Sequence, residues 1–200
     1  MSLFRASGSS TPRLKSLSSK RSHVVSVLDI GTTKVVCIIA RLTPREASEV
    51  LPGRTHKVEI IGIGHQKSRG IKAGVISDVD ALEGVIRNAV DTAERQAQLT
   101  VDSLIVNVSA GRLQSDIYTA SIDLGGQEID QDDVRKVLVA ACQQSQRNDR
   151  VVLHSLPTGF SLDGERGIAD PVSMFGETLG VDMHVLTAER MAVKNIELCV

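Results

Sequence analysis

Asp29-Ile30-Gly31-Thr32-Thr33-Lys34 is the stretch whose residue types could do chemistry together. A glycine in a tight turn tolerates φ > 0 and sets no Cβ in the way of a ligand. Successive backbone N–H groups of such a turn converge on one point and make an anion nest. Thr32 and Thr33 add hydroxyl donors, and Lys34 adds a positive charge. Asp29 stands at the end of an apolar run, placed to hold Mg²⁺ through the ion's water shell, because Mg²⁺ dehydrates reluctantly. That chemistry is a phosphate cradle with a divalent cation beside it. An ordinary hairpin turn with a solvated lysine satisfies the same six residues, so the string alone leaves both readings open. It is not a Walker A loop, because G-x-x-x-x-G-K-[ST] is absent and no helix follows.

Other candidates fit chemistry less well. Gly62-Ile63-Gly64 lacks the third glycine of a dinucleotide fingerprint and reads as a strand end. Asp123-Leu124-Gly125-Gly126 imitates a second phosphate loop, but Gln127-Glu128 follows and puts an acid where phosphate charge would sit. A strand-to-helix turn is the reading there. Ser109-Ala110-Gly111 is not G-x-S-x-G, and no His or Asp is placed to activate Ser109. Asp130, Asp132 and Asp133 fit a helix N-terminus facing its dipole better than a metal cluster. His56, His65, His154 and His184 sit in or near apolar β-like runs without ligand spacing, so no direct metal site is assigned.

The elements that must hold the cradle follow from periodicity. Val24–Ile30 and Val35–Leu42 are β-branched runs flanking the turn, which predicts a hairpin. Residues 43–56 read as a surface loop and Lys57–Gly64 as a third strand, with a Gly-rich loop after it. Leu82, Val85, Ile86, Ala89, Val90, Ala93 and Ala97 form one apolar helical stripe, capped by Ser77 or Asp78. Strands are predicted over Ser103–Ala110, Ser115–Leu124, Val151–Leu162 and Gly180–Leu186. Asp130 is expected to cap a second helix, and Thr187 a third that carries Ala188, Ala192, Ile196 and Cys199. That last stripe reaches Val200 without a Gly, Asn or Pro stop, which reads as a truncated element.

Composition narrows the class. The 200 residues are 42% hydrophobic, enough for a sizeable core, yet they include no Trp, one Tyr and three Phe. Val, Ile, Leu and Ala must fill that core, and the aromatic platforms of single-stranded nucleic-acid readers are missing. Five cations (Arg5, Arg13, Lys15, Lys20 and Arg21) and no acid fall in residues 1–23, while the whole chain carries a formal charge of −1. A basic tail on an acidic body argues against nucleic acid as a partner. Residues 1–23 are expected to be a disordered tail. Cys37, Cys142 and Cys199 are odd in number and have no C-x-x-C pairing, as reduced cytosolic thiols would. No run approaches the roughly 18 apolar residues that a membrane span needs.

The strand–D-x-G-T-T-K–strand unit resembles the first domain of the actin-like superfamily, which also holds heat-shock chaperones and sugar kinases. The strings Val27–Val35, Gly62–Gly64, Ser68–Ile76, Val106–Gly111, Val151–Pro157 and Asp170–Val172, in that order, are similar to the FtsA family of bacterial cell-division proteins. The resemblance covers residues 24–200 and implies an α/β fold. It implies an actin-like (ribonuclease H-like) subdomain 1A over 24–78 and 162–200, interrupted by an SHS2-type 1C subdomain over 79–161. The second actin-like domain is expected to be absent, and with it half of the nucleotide site. The family further implies ATP with Mg²⁺ on Asp29, Gly31, Thr32, Thr33 and Lys34. It implies a non-enzymatic assembly protein with slow hydrolysis at most. Such a protein polymerises, anchors the FtsZ ring at the cytoplasmic face of the membrane through a C-terminal helix, and recruits later division proteins through 1C. A pilus-assembly ATP-binding relative and a small-molecule kinase are the alternatives within the superfamily.

Overall fold

The β-branched runs beside Gly31 pair as predicted. In the computed structural model, which describes Ser18 and residues 20–46, 55–109 and 111–200, they become β1 (His23–Ile30) and β2 (Lys34–Pro44). Most of the expected tail, the middle of the 43–56 loop and Ala110 lie outside the described residues. β3 (His56–Lys67) pairs with β2, and a small hairpin of β4 (Ile71–Lys72) and β5 (Val75–Ile76) precedes α1 (Val79–Ala97). β6 (Ile105–Asn107) then lies parallel to β1, giving the sheet order β3-β2-β1-β6. Asp78 caps α1, its carboxylate accepting the Ala81 N–H at 3.0 Å, so Asp78 and not Ser77 is the cap.

The next elements are β7 (Gln114–Asp123), α2 (Gln131–Gln144), β8 (Arg150–Leu162), β9 (Glu165–Ile168) and β10 (Thr178–Glu189). They build a second antiparallel sheet ordered β7-β10-β8-β9. One face of it buries Phe160, Leu162, Leu179, Val181, Met183 and Val185 with Val137 and Ala141 of α2. Asp130 caps α2 as expected, accepting the N–H groups of Asp132 and Asp133 at 2.8 and 2.9 Å. Asp133 answers by accepting the Asp130 N–H at 3.3 Å, a reciprocal capping box. The Lys136 ammonium, 2.9 Å away, and the backbone at Asp130 hold the Asp133 carboxyl below its ordinary range. Gly125 and Gly126, both at positive φ, make the predicted turn between β7 and α2.

The chain closes with α3 (Arg190–Cys199). Contacts divide the described residues into one unit running to Gly111 and resuming over Met191–Val200, and another over Arg112–Arg190. These bounds differ from the 79–161 expected for the insert. α1 belongs with the first sheet because its stripe of Leu82, Val85, Ile86, Ala89 and Ala93 packs on Leu28, Ile30, Val35, Cys37 and Ile39. β10 pairs with β8 and β7 along its whole length, so residues 162–190 stay with the second unit.

Two local expectations are corrected. β3 does not end at Gly64 but runs three residues further, because both glycines are needed within it. A Cβ on Gly64 would lie 1.7 Å from the Ala89 carbonyl oxygen, and one on Gly62 would lie 2.2 Å from that of Ala93. Two residues of strand advance about 6.7 Å and four of helix about 6 Å, so Gly64 and Gly62 seat Ala89 and Ala93 in register. Thr187 is not a helix cap. It is a buried residue of β10 whose hydroxyl accepts from Arg150 Nε at 2.8 Å.

Candidate functional site

Asp29 ends the apolar run of β1 half-buried, and the three residues after Ile30 reverse the chain. The Gly31 N–H donates to the Lys34 carbonyl at 2.9 Å, closing the hairpin. This alters the role expected for Gly31. Its φ is not positive, and its N–H is spent inside the turn instead of joining an anion nest. A Cβ there would stand 3.0 Å from the Lys34 carbonyl oxygen, a tight contact that the turn would have to relax by a few tenths of an ångström to accommodate.

Two neighbouring segments brace the turn. The Ser68 N–H, just past β3, donates to the Thr33 carbonyl at 3.0 Å. The Gly74 N–H, at the tip of the β4–β5 hairpin, donates to Thr32 Oγ1 at 3.2 Å. Ala73 and Gly74 both have positive φ, as a two-residue hairpin turn of the primed type requires. A threonine hydroxyl that accepts still has its own proton to donate, so Thr32 keeps a donor for an anionic oxygen. Thr32, Thr33 and Lys34 are exposed, and Lys34 makes no ion pair among the described residues.

The sequence did not reveal the residue that meets Asp29. Asn107 Nδ2 donates to Asp29 Oδ1 at 2.8 Å across the parallel β1–β6 pairing, in which Asp29 and Asn107 stand side by side. Ser68 was likewise unassigned, and its Oγ is a buried atom without a hydrogen-bond partner among the described residues. The only advance signal for either was its place within the strings Val106–Gly111 and Ser68–Ile76.

Hydroxyl donors, an unpaired ammonium and a half-buried carboxylate suit a phosphate with a hard, hydrated cation. A groove of about 660 Å³ elsewhere in the first unit suits one poorly. It is lined by apolar residues such as Val90, Leu104 and Val106, and by four acids (Glu83, Asp91, Asp102 and Glu197) against Arg87 alone. The buried thiols are quiet as well: burial pushes Cys37 and Cys199 up, with smaller pushes from Glu94 and Glu83 respectively. No group of three or more His, Cys, Asp or Glu able to hold a metal occurs among the described residues. No described helix is long and apolar enough to cross a membrane.

Comparison with known proteins bears on what surrounds this geometry. The family model described as "SHS2 domain inserted in FTSA" matches residues 110–187, close to the second unit at Arg112–Arg190. Over all 200 residues the chain is 76% identical to Cell division protein FtsA of Agrobacterium fabrum, covering 45% of that protein. The chain belongs to the FtsA family. FtsA of Rhizobium meliloti is 73% identical over the same 200 residues, again 45% of its length. That of Pseudomonas aeruginosa is 31% identical over 173 residues, 86% of this chain and 39% of that one. The chain therefore spans a little under half the length of these FtsA relatives. A solved chain of a "PilM-PilN type IV pilus biogenesis complex" aligns with TM-score 0.48 and 10% identity, over 88% of this chain and 43% of that one. The inserted SHS2 unit and the α/β unit around it agree with the expected architecture.

Proposed function

We propose that this chain supplies the first half of the nucleotide clamp, together with the partner-binding insert, of an actin-like ATP-binding cell-division protein. The observation that carries the reading is the 76% identity along the whole chain to an FtsA protein. The hairpin's chemistry agrees with it. Thr32 and Thr33 donate to phosphate oxygens, Lys34 lies beside their charge, and Asp29 orients the water shell of Mg²⁺ when MgATP is bound. Gly31 shapes the turn. The reading is one of binding and assembly, with function exerted through polymerisation rather than turnover. Its partners would be other FtsA subunits, the FtsZ ring and later division proteins. Its place would be the cytoplasmic face of the membrane at the division site.

Calorimetry tests the clamp. The 200-residue chain alone is expected to bind MgATP weakly or not at all, and submicromolar affinity would refute the half-clamp. In a chain carried to the length of its relatives, Lys34→Ala is expected to weaken MgATP binding about 10-fold or more, since hydrogen bonds to charged groups contribute about 1.5–3 kcal/mol. Unchanged affinity would remove Lys34 from the site.

The insert is tested in the same longer chain by replacing Arg112–Arg190 with a short polar linker. Nucleotide affinity should stay within about twofold, because Asp29 to Lys34 and their braces all lie in the first unit. Later division proteins should no longer gather at the septum by fluorescence microscopy. Their undiminished recruitment would show that the second unit is not the recruiting surface.

A further inference from the structure

We propose that Asn107 is a positioning residue for Asp29, holding its carboxylate in the orientation that receives the hydrated cation accompanying a nucleotide phosphate. The inference rests on the phosphate reading given above. The two residues are 78 positions apart and meet only because β6 lies parallel to β1, with Asp29 and Asn107 paired in register. Both stand at the carboxyl ends of their strands, the edge at which open α/β sheets place ligands.

Asparagine is a poor strand former. Here it follows Ile105 and Val106 and precedes Val108, where a β-branched residue would serve the sheet better. Its contribution is the 2.8 Å amide donor to Asp29 Oδ1. That bond removes the free rotation of the carboxylate and leaves Oδ2 directed elsewhere. A lysine or arginine in the same place would anchor Asp29 equally well but would also neutralise it. The neutral amide fixes the group and leaves its full negative charge for a divalent ion. Hydrogen bonds of this outer kind typically change metal affinity 10–100-fold when removed.

The test uses the chain carried to the length of its relatives, with ATP titrated calorimetrically in excess Mg²⁺ and again in EDTA. Asn107→Leu removes the donor and keeps the branched four-atom shape of the side chain. Asn107→Thr is a β-branched second variant, should the first fail to fold, whose hydroxyl is too short to reproduce the amide's reach. Each is expected to lose about 10-fold in affinity in the Mg²⁺ arm, with the EDTA arm within about twofold of the parent. A merely structural role would lower both arms together along with the melting temperature. Parallel losses in the two arms, or no loss in either, would overturn the proposal while leaving the phosphate site intact. A parent protein that binds ATP in neither arm would instead overturn the phosphate reading, and the role of Asn107 with it.

Discussion

Gly64→Ala is expected to cost about 3 kcal/mol of stability, lowering the melting temperature by about 10 °C, for the addition of one methyl group. The new Cβ would lie 1.7 Å from the Ala89 carbonyl oxygen and 2.6 Å from its carbon. These are backbone atoms in the middle of α1, so no side-chain rotation relieves the overlap. The helix would have to lift from β3, and lifting it separates Ala89 and Ala93 from a core that also includes Leu82, Val85 and Ile86. Interiors this close-packed do not absorb such a shift locally. Gly84→Ala is the matched control. Gly84 lies within the same helix, and a Cβ there meets nothing within 4 Å. Alanine should stabilise that site by about 0.5–1 kcal/mol, because glycine costs backbone entropy in a helix. Thermal melts of the two variants should therefore move in opposite directions. Equal and small shifts would mean that α1 is not seated on the β3 glycines.

The contrast between those glycines also marks how far the residues could be read in advance. Elements set by near neighbours were legible: the β1–β2 hairpin, the apolar stripe of α1, and the caps at Asp78 and Asp130. Each depends on residues within a few positions, where periodicity and capping chemistry are visible. The Asp163-Gly164 pair is a local signal of the same kind, since adjacent positive-φ positions make the β8–β9 turn. What needed the fold was the partner of each group. Gly62 and Gly64 look like a strand end until α1 is laid over them. Thr187 sits where a cap would sit, but its oxygen serves a side chain 37 residues away. Asn107 and Asp29 each appear ordinary until β6 docks beside β1. The compact units divide the chain differently from the expected insert for the same reason: chain order puts α1 after residue 78, whereas burial of its alanine stripe packs that helix on the first sheet.

Arg150 is the long-range partner with the largest expected effect in the second unit. It is only 8% exposed, and no carboxylate pairs with it among the described residues. Its guanidinium is satisfied by oxygens alone: Nε donates to Thr187 Oγ1 at 2.8 Å, and Nη2 to the carbonyls of Arg112 at 2.7 Å and Thr187 at 3.0 Å. Arg112 begins the second unit and Thr187 lies near its end, so one side chain ties together the segments where the chain enters and leaves. Arg190 reinforces the corner through the carbonyls of Asn148 and Arg150, at 2.9 and 3.1 Å. Arg150→Met keeps the apolar stem but strands three acceptors, each costing about 1–3 kcal/mol if it stays buried and unpaired. Relief from burying a charge offsets part of that, leaving an expected net loss of about 3 kcal/mol. Arg150→Lys should lose nearly as much, because a single ammonium cannot span acceptors arranged for a planar fork. Amide hydrogen exchange would locate the damage: protection should fall along β8 and β10 and stay near parental values in β1 and β2. A lysine variant as stable as the parent would refute the fork. A methionine variant that lost protection equally in both sheets would show that Arg150 does not act through the second unit alone.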